Sequence, residues 1–84
     1  MKVRAKVIVK KIESVADPEG KAIHEALLRL RYRGVSDVRS GKLFLVDINA
    51  DTLEKAKEDI EAIARDVLSN PIIEVFSYDL EALK

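Results

Sequence analysis

The sequence predicts an α+β domain in which an antiparallel sheet carries two helices on one face. Residues 2–12 alternate apolar and charged side chains with a period of two, as a half-buried strand does. Residues 18–31 and 53–68 repeat apolar side chains at helical spacing. Between the helices, β-branched and apolar residues flank a glycine-containing turn at residues 40–42, which is typical of a hairpin. The predicted order is therefore β-α-β-β-α-β.

The first helix is predicted from the residues at its ends as well as from its periodicity. Asp17 can cap it, and Pro18 suits its first position because no amide donor is needed there. Gly20 lies in the first turn, where a better helix former would gain up to ~1 kcal/mol, so it indicates a close backbone approach. Gly34 is expected to close the helix as its C-terminal cap.

The second half repeats this plan. The predicted hairpin, Val35–Ile48, leads into a second helix that opens with an Asp-x-x-Glu capping pattern beginning at Asp51. Asn70-Pro71 ends that helix, because the residue before a proline is disfavoured in helical conformation. Ile72–Tyr78 is the predicted last strand, and residues 79–84 form a short tail. This order of elements suggests a ferredoxin-like arrangement.

Length and composition indicate a small, soluble, intracellular domain that gains from association. The 84 residues form one domain, and a chain of this size buries little more than ~60% of its unfolded surface. The lack of Cys excludes disulfides, a thiolate nucleophile and a thiolate metal site. No apolar run approaches the ~20 residues of a membrane span, and no signal peptide is recognisable. A charged fraction of 36% without Gln is typical of a thermophile protein.

Charge is divided between the two halves, although the net charge is zero. Residues 1–42 carry 11 basic and 5 acidic side chains, whereas residues 43–84 carry 4 basic and 10 acidic ones. The favoured interpretation is two solvated helices of opposite sign. The alternative is that opposite faces attract copies of the same chain or a charged partner. Apolar residues on both faces of the first and last strands also favour self-association.

The sequence offers no catalytic or metal-binding set. His24 is the sole histidine, and on a helix beside the apolar stripe it is interpreted as a boundary residue rather than a base or ligand. Asp47, Asp51 and Asp59 do not match a calcium loop. They are interpreted as a strand end, a helix cap and a solvated helix face.

Two binding functions are disfavoured. Arg39 and Lys42 flank a tight turn whose amides could face an anion, but charges that keep a hairpin end soluble are the favoured interpretation. RNA-binding sheets share the predicted order of elements and need aromatic side chains on two central strands. Here Phe44 is the one aromatic residue of the third strand, and the first strand has none.

Three segments, taken in order and spacing, resemble a known family. They are Asp-Pro-Glu-Gly at residues 17–20, Val-Arg-Ser-Gly-Lys at 38–42, and Leu-Ser-Asn-Pro-Ile-Ile-Glu at 68–74. With length and element order, they make the chain similar to PurS, the small subunit of phosphoribosylformylglycinamidine (FGAM) synthase. Ser40 departs from the apolar residue that the family pattern leads us to expect.

The resemblance implies a subunit of an ATP-dependent, glutamine-hydrolysing ligase that acts at the fourth step of purine synthesis in the cytoplasm. A large synthetase subunit would hold ATP, magnesium and the ribonucleotide, and a glutaminase subunit would release ammonia. The small subunit would have no catalytic residues, no cofactor and no metal of its own. It would form a homodimer or homotetramer, bridge the other two subunits and support ammonia transfer.

The resemblance also assigns residues by matching position. It implies partner-facing roles for Arg39, Gly41 and Lys42. It implies a structural motif made of Asp17, Pro18, Gly20, Asn70 and Pro71. The alternative function from the sequence is a small-molecule-binding regulatory module with the same element order.

Overall fold

The structure is a computed structural model that describes residues 1–83. Its elements follow in the order β1 (Lys2–Lys11), α1 (Pro18–Arg29), β2 (Gly41–Asn49), α2 (Leu53–Ile63) and β3 (Glu74–Leu83). A π-helical turn, Ala64–Leu68, continues α2. The predicted antiparallel sheet with two helices is confirmed, although the sheet has three strands and the order is β-α-β-α-β.

The sheet has the order β2-β1-β3, and both pairings are antiparallel. In this register Val7 lies opposite Phe44 on β2 and Tyr78 on β3. Alternate residues of β1 are buried, as the period of two predicts, and these are Val3, Ala5, Val7 and Val9. The first strand of the sequence is therefore the centre of the sheet.

One face of the sheet packs against α2. Ala56, Ile60 and Ala64 of α2 and its π-helical continuation are buried against β1. The same face of β2 and β3 contributes partly buried side chains, namely Phe44, Val46, Ile48, Phe76, Tyr78 and Leu80. The hydroxyl of Tyr78 donates a hydrogen bond to Glu61 Oε1 at 2.5 Å, which ties β3 to α2. Among the described residues, this hydrophobic cluster includes none from α1.

Helix α1 extends beyond the end of the sheet instead of covering it. Gly20 is its one buried residue. A ten-residue strand is about 33 Å long and a twelve-residue helix about 18 Å. Neither length alone reaches the 51 Å long axis of the molecule. The sequence predicts that two helices pack on one face of the sheet. Among the described residues, the hydrophobic cluster includes side chains from α2 and none from α1.

The predicted hairpin Val35–Ile48 is wrong, because residues 35–40 form no strand and β2 begins at Gly41. The backbone of this segment faces α1 instead. The carbonyl oxygen of Val35 lies 2.8 Å from His24 Nε2, and the carbonyl of Val38 faces Gly20. Contacts with a helix, which period-two patterning does not reveal, thus replace a strand pairing.

The end of α1 also differs from the prediction. The helix stops at Arg29, and Arg31, with φ of 72°, takes the left-handed conformation expected of a glycine. The amide of Arg31 donates to the carbonyl of Leu28, and the amide of Tyr32 donates to that of Leu27, which is a Schellman motif. Gly34 is therefore not the cap.

Two further boundaries are corrected. Thr52, not Asp51, caps α2, because its hydroxyl accepts the amide of Lys55 at 3.0 Å. Residues 79–83 belong to β3 rather than to a tail, since they pair with β1 as far as Lys2 opposite Leu83. Lys84, the last residue of the predicted tail, lies outside the described residues.

Candidate functional site

The segment that begins α1 and the segment that precedes β2 meet at one end of the sheet. The carboxylate Oδ1 of Asp17 accepts the amide of Gly20 at 3.1 Å and the hydroxyl of Ser40 at 2.8 Å. Oδ2 accepts the amide of Ser40 at 2.5 Å. The Asp17 residue is only 7% exposed. One carboxylate thus caps the helix and holds residues 38–40 against it.

These hydrogen bonds stabilise the charged form of Asp17. They lower its pKa from 3.8 to about 2, with the Ser40 amide contributing most, then the Ser40 hydroxyl and the Gly20 amide. Desolvation opposes this shift, and the positive charge of Arg39 adds to it. The carboxylate is therefore an anionic structural anchor, unsuited to act as a general acid or base near neutral pH.

Gly20 is required where α1 passes residue 38. A Cβ at this position would lie 2.3 Å from the carbonyl oxygen of Val38 and 2.7 Å from Asp17 Oδ2. The close backbone approach that the sequence predicts is therefore present. No other residue type fits there without moving the helix away from the segment.

Arg39 holds the loop between β1 and α1. Its Nη2 donates hydrogen bonds to the carbonyl of Ile12 at 3.0 Å and to that of Val15 at 2.9 Å. The side chain is exposed at the same time. This loop contact is not predictable from the sequence, because a carbonyl partner 24 or 27 residues away leaves no local pattern. The partner-facing role of Arg39 stays a prediction.

Gly41 and Lys42 begin β2 beside the end of β1. A Cβ at Gly41 would lie 2.9 Å from the carbonyl oxygen of Val9, so this glycine also permits a close approach. Lys42 is exposed and lies opposite Val9 in the register. A shallow cleft of about 230 Å³ is formed here between the sheet end and the start of α1. Its charged lining residues have both signs, being Lys10, Lys11, Lys42, Asp17, Glu19 and Glu74.

His24 supports the segment before β2. Its Nε2 lies 2.8 Å from the carbonyl oxygen of Val35, so this nitrogen carries the proton and donates it. The ring is partly buried, at the boundary of the helix. It also lines a second cleft, of about 500 Å³, with Lys21, Asp37 and Arg39. The contact with Val35 is structural and leaves no base–nucleophile pair.

Asn70 organises the turn before β3. Its Oδ1 accepts the amide of Ile72 at 3.1 Å, and its carbonyl accepts the amides of Ile73 and Glu74. Its own amide donates to Glu74 Oε1 at 2.7 Å. Pro71 follows and is exposed in this turn.

Residues 1–83 meet neither the requirements of a metal-ligand cluster nor those of a membrane-spanning helix. No three His, Asp or Glu side chains in this range come together as a metal-ligand set. None of the helices described is both long enough and apolar enough to cross a bilayer.

Residues 4–82 match a family model described as PurS: Phosphoribosylformylglycinamidine (FGAM) synthase. The chain belongs to the PurS family. A curated PurS subunit of phosphoribosylformylglycinamidine synthase from Archaeoglobus fulgidus is 38% identical over 73 residues. That match covers 87% of this chain and 91% of the relative. The match to the PurS family thus extends over nearly the whole of the given chain.

Solved PurS structures share the fold described above. The crystal structure of PurS from Methanocaldococcus jannaschii, named as a subunit of formylglycinamide ribonucleotide amidotransferase in the purine biosynthetic pathway, is 32% identical with a TM-score of 0.84. The two structures superpose over 98% of this chain and 99% of the Methanocaldococcus jannaschii chain. A chain in the structure of PurLQS from Thermotoga maritima is 25% identical with a TM-score of 0.88, covering 96% and 99%. The extended α1 therefore belongs to a fold that the PurS family shares.

Proposed function

We propose that this chain is the non-catalytic small subunit of an FGAM synthase, where it bridges a large synthetase subunit and a glutaminase subunit and supports ammonia transfer. The observation that carries the proposal is the PurS match over residues 4–82. A relative of the same fold is part of a structure named PurLQS. The proposed setting is the cytoplasm, with ATP and magnesium held by the large subunit.

The proposed contact with the large subunit lies at the sheet end, at Arg39, Gly41 and Lys42. Asp17 and Gly20 fix the backbone on which these residues lie. Lys42 is exposed, and the Arg39 guanidinium is anchored on one side and exposed on the other. Cations on an ordered backbone steer and orient association with an acidic surface.

Reconstitution tests this function. The purified chain is added to the large subunit and the glutaminase subunit, and FGAM formation is followed with glutamine or with ammonium as nitrogen source. The chain should raise glutamine-dependent turnover and leave ammonium-dependent turnover nearly unchanged, because it supports delivery rather than the ligase chemistry. An equal effect with both nitrogen sources, or none with either, contradicts the proposal.

Variants test the proposed contact. Arg39→Ala with Lys42→Ala should weaken co-elution with the large subunit. Lys42→Ala alone removes one positive charge without disturbing the loop between β1 and α1. Arg39→Ala would also release that loop, because Arg39 donates hydrogen bonds to the carbonyls of Ile12 and Val15. The matched control is Lys55→Ala with Lys57→Ala, which removes the same charge from the exposed face of α2. Equal losses in both double variants would remove Arg39 and Lys42 from the interface.

A further inference from the structure

A cleft of about 500 Å³ lies between the first turns of α1 and the segment that precedes β2. Lys21 and His24 line it from the helix, and Asp37 and Arg39 line it from the segment. Small-molecule sites in proteins commonly have volumes of about 300–1,000 Å³. The cleft is therefore large enough for a small ligand that contacts both elements.

Charged side chains of both signs line this cleft without pairing with one another. Lys21, Asp37 and Arg39 are exposed, and none of the three forms an ion pair with another residue in the range 1–83. Elsewhere on the surface opposite charges do pair, as Arg4 does with Asp47 at 2.8 Å. The cleft thus keeps two positive groups and one negative group available to a ligand.

The guanidinium of Arg39 is already fixed in position beside the cleft. Its Nη2 is held by the carbonyls of Ile12 and Val15, whereas Nε and Nη1 make no hydrogen bond to any residue that the structure describes. A guanidinium held in this way loses less side-chain entropy on binding a carboxylate than a mobile one does. Arg39 is therefore preorganised to donate hydrogen bonds to a carboxylate.

The balance of charge favours a ligand that carries both signs. Asp17 also lines the cleft, although its carboxylate is committed to three hydrogen bonds within the chain. With Asp17 counted, two carboxylates and two cations surround the cleft, so a lone anion would be repelled as well as attracted. A zwitterion avoids this conflict, because its carboxylate can approach Lys21 and Arg39 while its ammonium group approaches Asp37.

His24 adds a neutral hydrogen-bond acceptor to the lining. Its Nε2 donates to the carbonyl of Val35, so Nδ1 of the neutral ring is an acceptor. Nδ1 makes no hydrogen bond to a described residue, and no buried side-chain nitrogen or oxygen in the described chain lacks a partner. Nδ1 is therefore accessible, and the amide group of a ligand can donate an N–H to it.

We propose that this cleft binds a free α-amino acid with an amide side chain. The carboxylate of the amino acid contacts Arg39 and Lys21, its ammonium group contacts Asp37, and its side-chain amide donates to His24. Since the contacts are exposed charge pairs, binding is weak, with a Kd of about 1 mM. The inference goes beyond the proposed function and does not rest on it, because binding requires this chain alone.

An NMR titration of the isotope-labelled full chain with L-glutamine tests the site. Saturable shifts should be confined to the backbone amides of residues 16–24 and 35–40. N-acetyl-L-glutamine lacks the ammonium group, and the decarboxylated analogue of glutamine lacks the carboxylate. Each should bind about two- to fivefold more weakly than L-glutamine, because each loses one exposed charge pair. L-norleucine, which lacks the amide, should also bind more weakly.

Charge-neutralising variants test the lining residues. Lys21→Gln and Asp37→Asn should each weaken L-glutamine binding by about two- to fivefold and keep the fold, because both side chains are exposed. The matched controls are Lys57→Gln and Asp51→Asn, which remove the same charges elsewhere on the surface and should leave the affinity unchanged. The NMR spectrum of each free variant checks its fold.

The absence of saturable shifts overturns the amino-acid site. Equal binding of L-glutamine and N-acetyl-L-glutamine also overturns it, because the cleft would then be a general contact for anions. Equal losses in the target and control variants would place the ligand elsewhere on the chain. Failure of the proposed function is a separate result, since it would appear in the reconstitution assay whether or not the isolated chain binds L-glutamine.

Discussion

Asp17 accepts two hydrogen bonds from Ser40, one from its amide and one from its hydroxyl, across 23 residues of sequence. This pair joins the start of α1 to the segment before β2. Ser40 is also the residue that departs from the family pattern expected from the sequence. The polar side chain is accommodated here because the buried carboxylate needs the donor that an apolar residue lacks.

Replacing Ser40 should therefore destabilise the fold. Ser40→Ala removes the hydroxyl donor to a charged acceptor, and we expect the free energy of unfolding to fall by about 1–2 kcal/mol. Urea denaturation measures the change. Ser36→Ala is the control, because Ser36 is exposed in the same segment and its removal should change stability by less than ~0.5 kcal/mol. Equal effects of the two substitutions would contradict the role of the hydroxyl.

The Asp17 contact should also appear in the pH dependence of stability. The pKa of Asp17 is lowered from 3.8 to about 2, so the unfolded chain binds the proton first as the pH falls. The stabilisation is complete above pH 3.8 and is lost as the pH falls towards 2. Wild type should exceed Asp17→Asn in stability above about pH 4, and the gap should close towards pH 2. Thermal denaturation across this range measures the gap, and a constant gap would argue against the charged anchor.

Two glycines should respond in opposite ways to alanine. Gly20→Ala forces a Cβ against the carbonyl of Val38, so we expect a loss of about 1–3 kcal/mol despite the better helix propensity. Gly34→Ala meets nothing within 4 Å and its φ is not positive, so it should be neutral or stabilise by up to ~1 kcal/mol. Chemical denaturation distinguishes the two, and a neutral Gly20→Ala would show that the approach is looser than described.

The end of α1 should be improved by a glycine. Arg31 has a φ of 72°, a conformation that costs a side-chain-bearing residue about 1–2 kcal/mol. Because glycine is more flexible in the unfolded chain, the expected net gain for Arg31→Gly is up to ~1 kcal/mol. Arg33→Gly, in the same exposed segment without a positive φ, should give no gain. A higher melting temperature for the first variant alone is the expected result.

The regular parts of this fold are readable from the sequence because they depend on local periodicity. The alternation in Val3, Ala5, Val7 and Val9 predicts β1, and the helical stripe with Ala56 and Ile60 predicts α2. The position of α1 is not readable in this way. Its stripe predicts a core face, yet Ile23 is 43% exposed within the described chain, because α1 lies against residues 35–40 and not against the sheet.

The candidate site was predictable in part. In the sequence, Asp17 predicts a helix cap and Gly20 predicts a close backbone approach, because these residue types serve few other purposes at a helix start. Their partners, Ser40 and Val38, belong to a segment whose apolar residues predicted a strand. Arg39 was chosen for its charge, whereas its contacts with two distant carbonyls required the folded chain.

The register of β1 has a consequence for synthesis on the ribosome. Its Lys2 pairs with both Asn49 and Leu83, so one neighbour of the first strand is translated only after both helices. In a nascent chain that has emerged only as far as α2, the backbone amides and carbonyls on one side of β1 lack hydrogen-bond partners. Hydrogen bonding across the sheet can be completed only once β3 has cleared the exit tunnel, so β1 stays paired on one side alone until then.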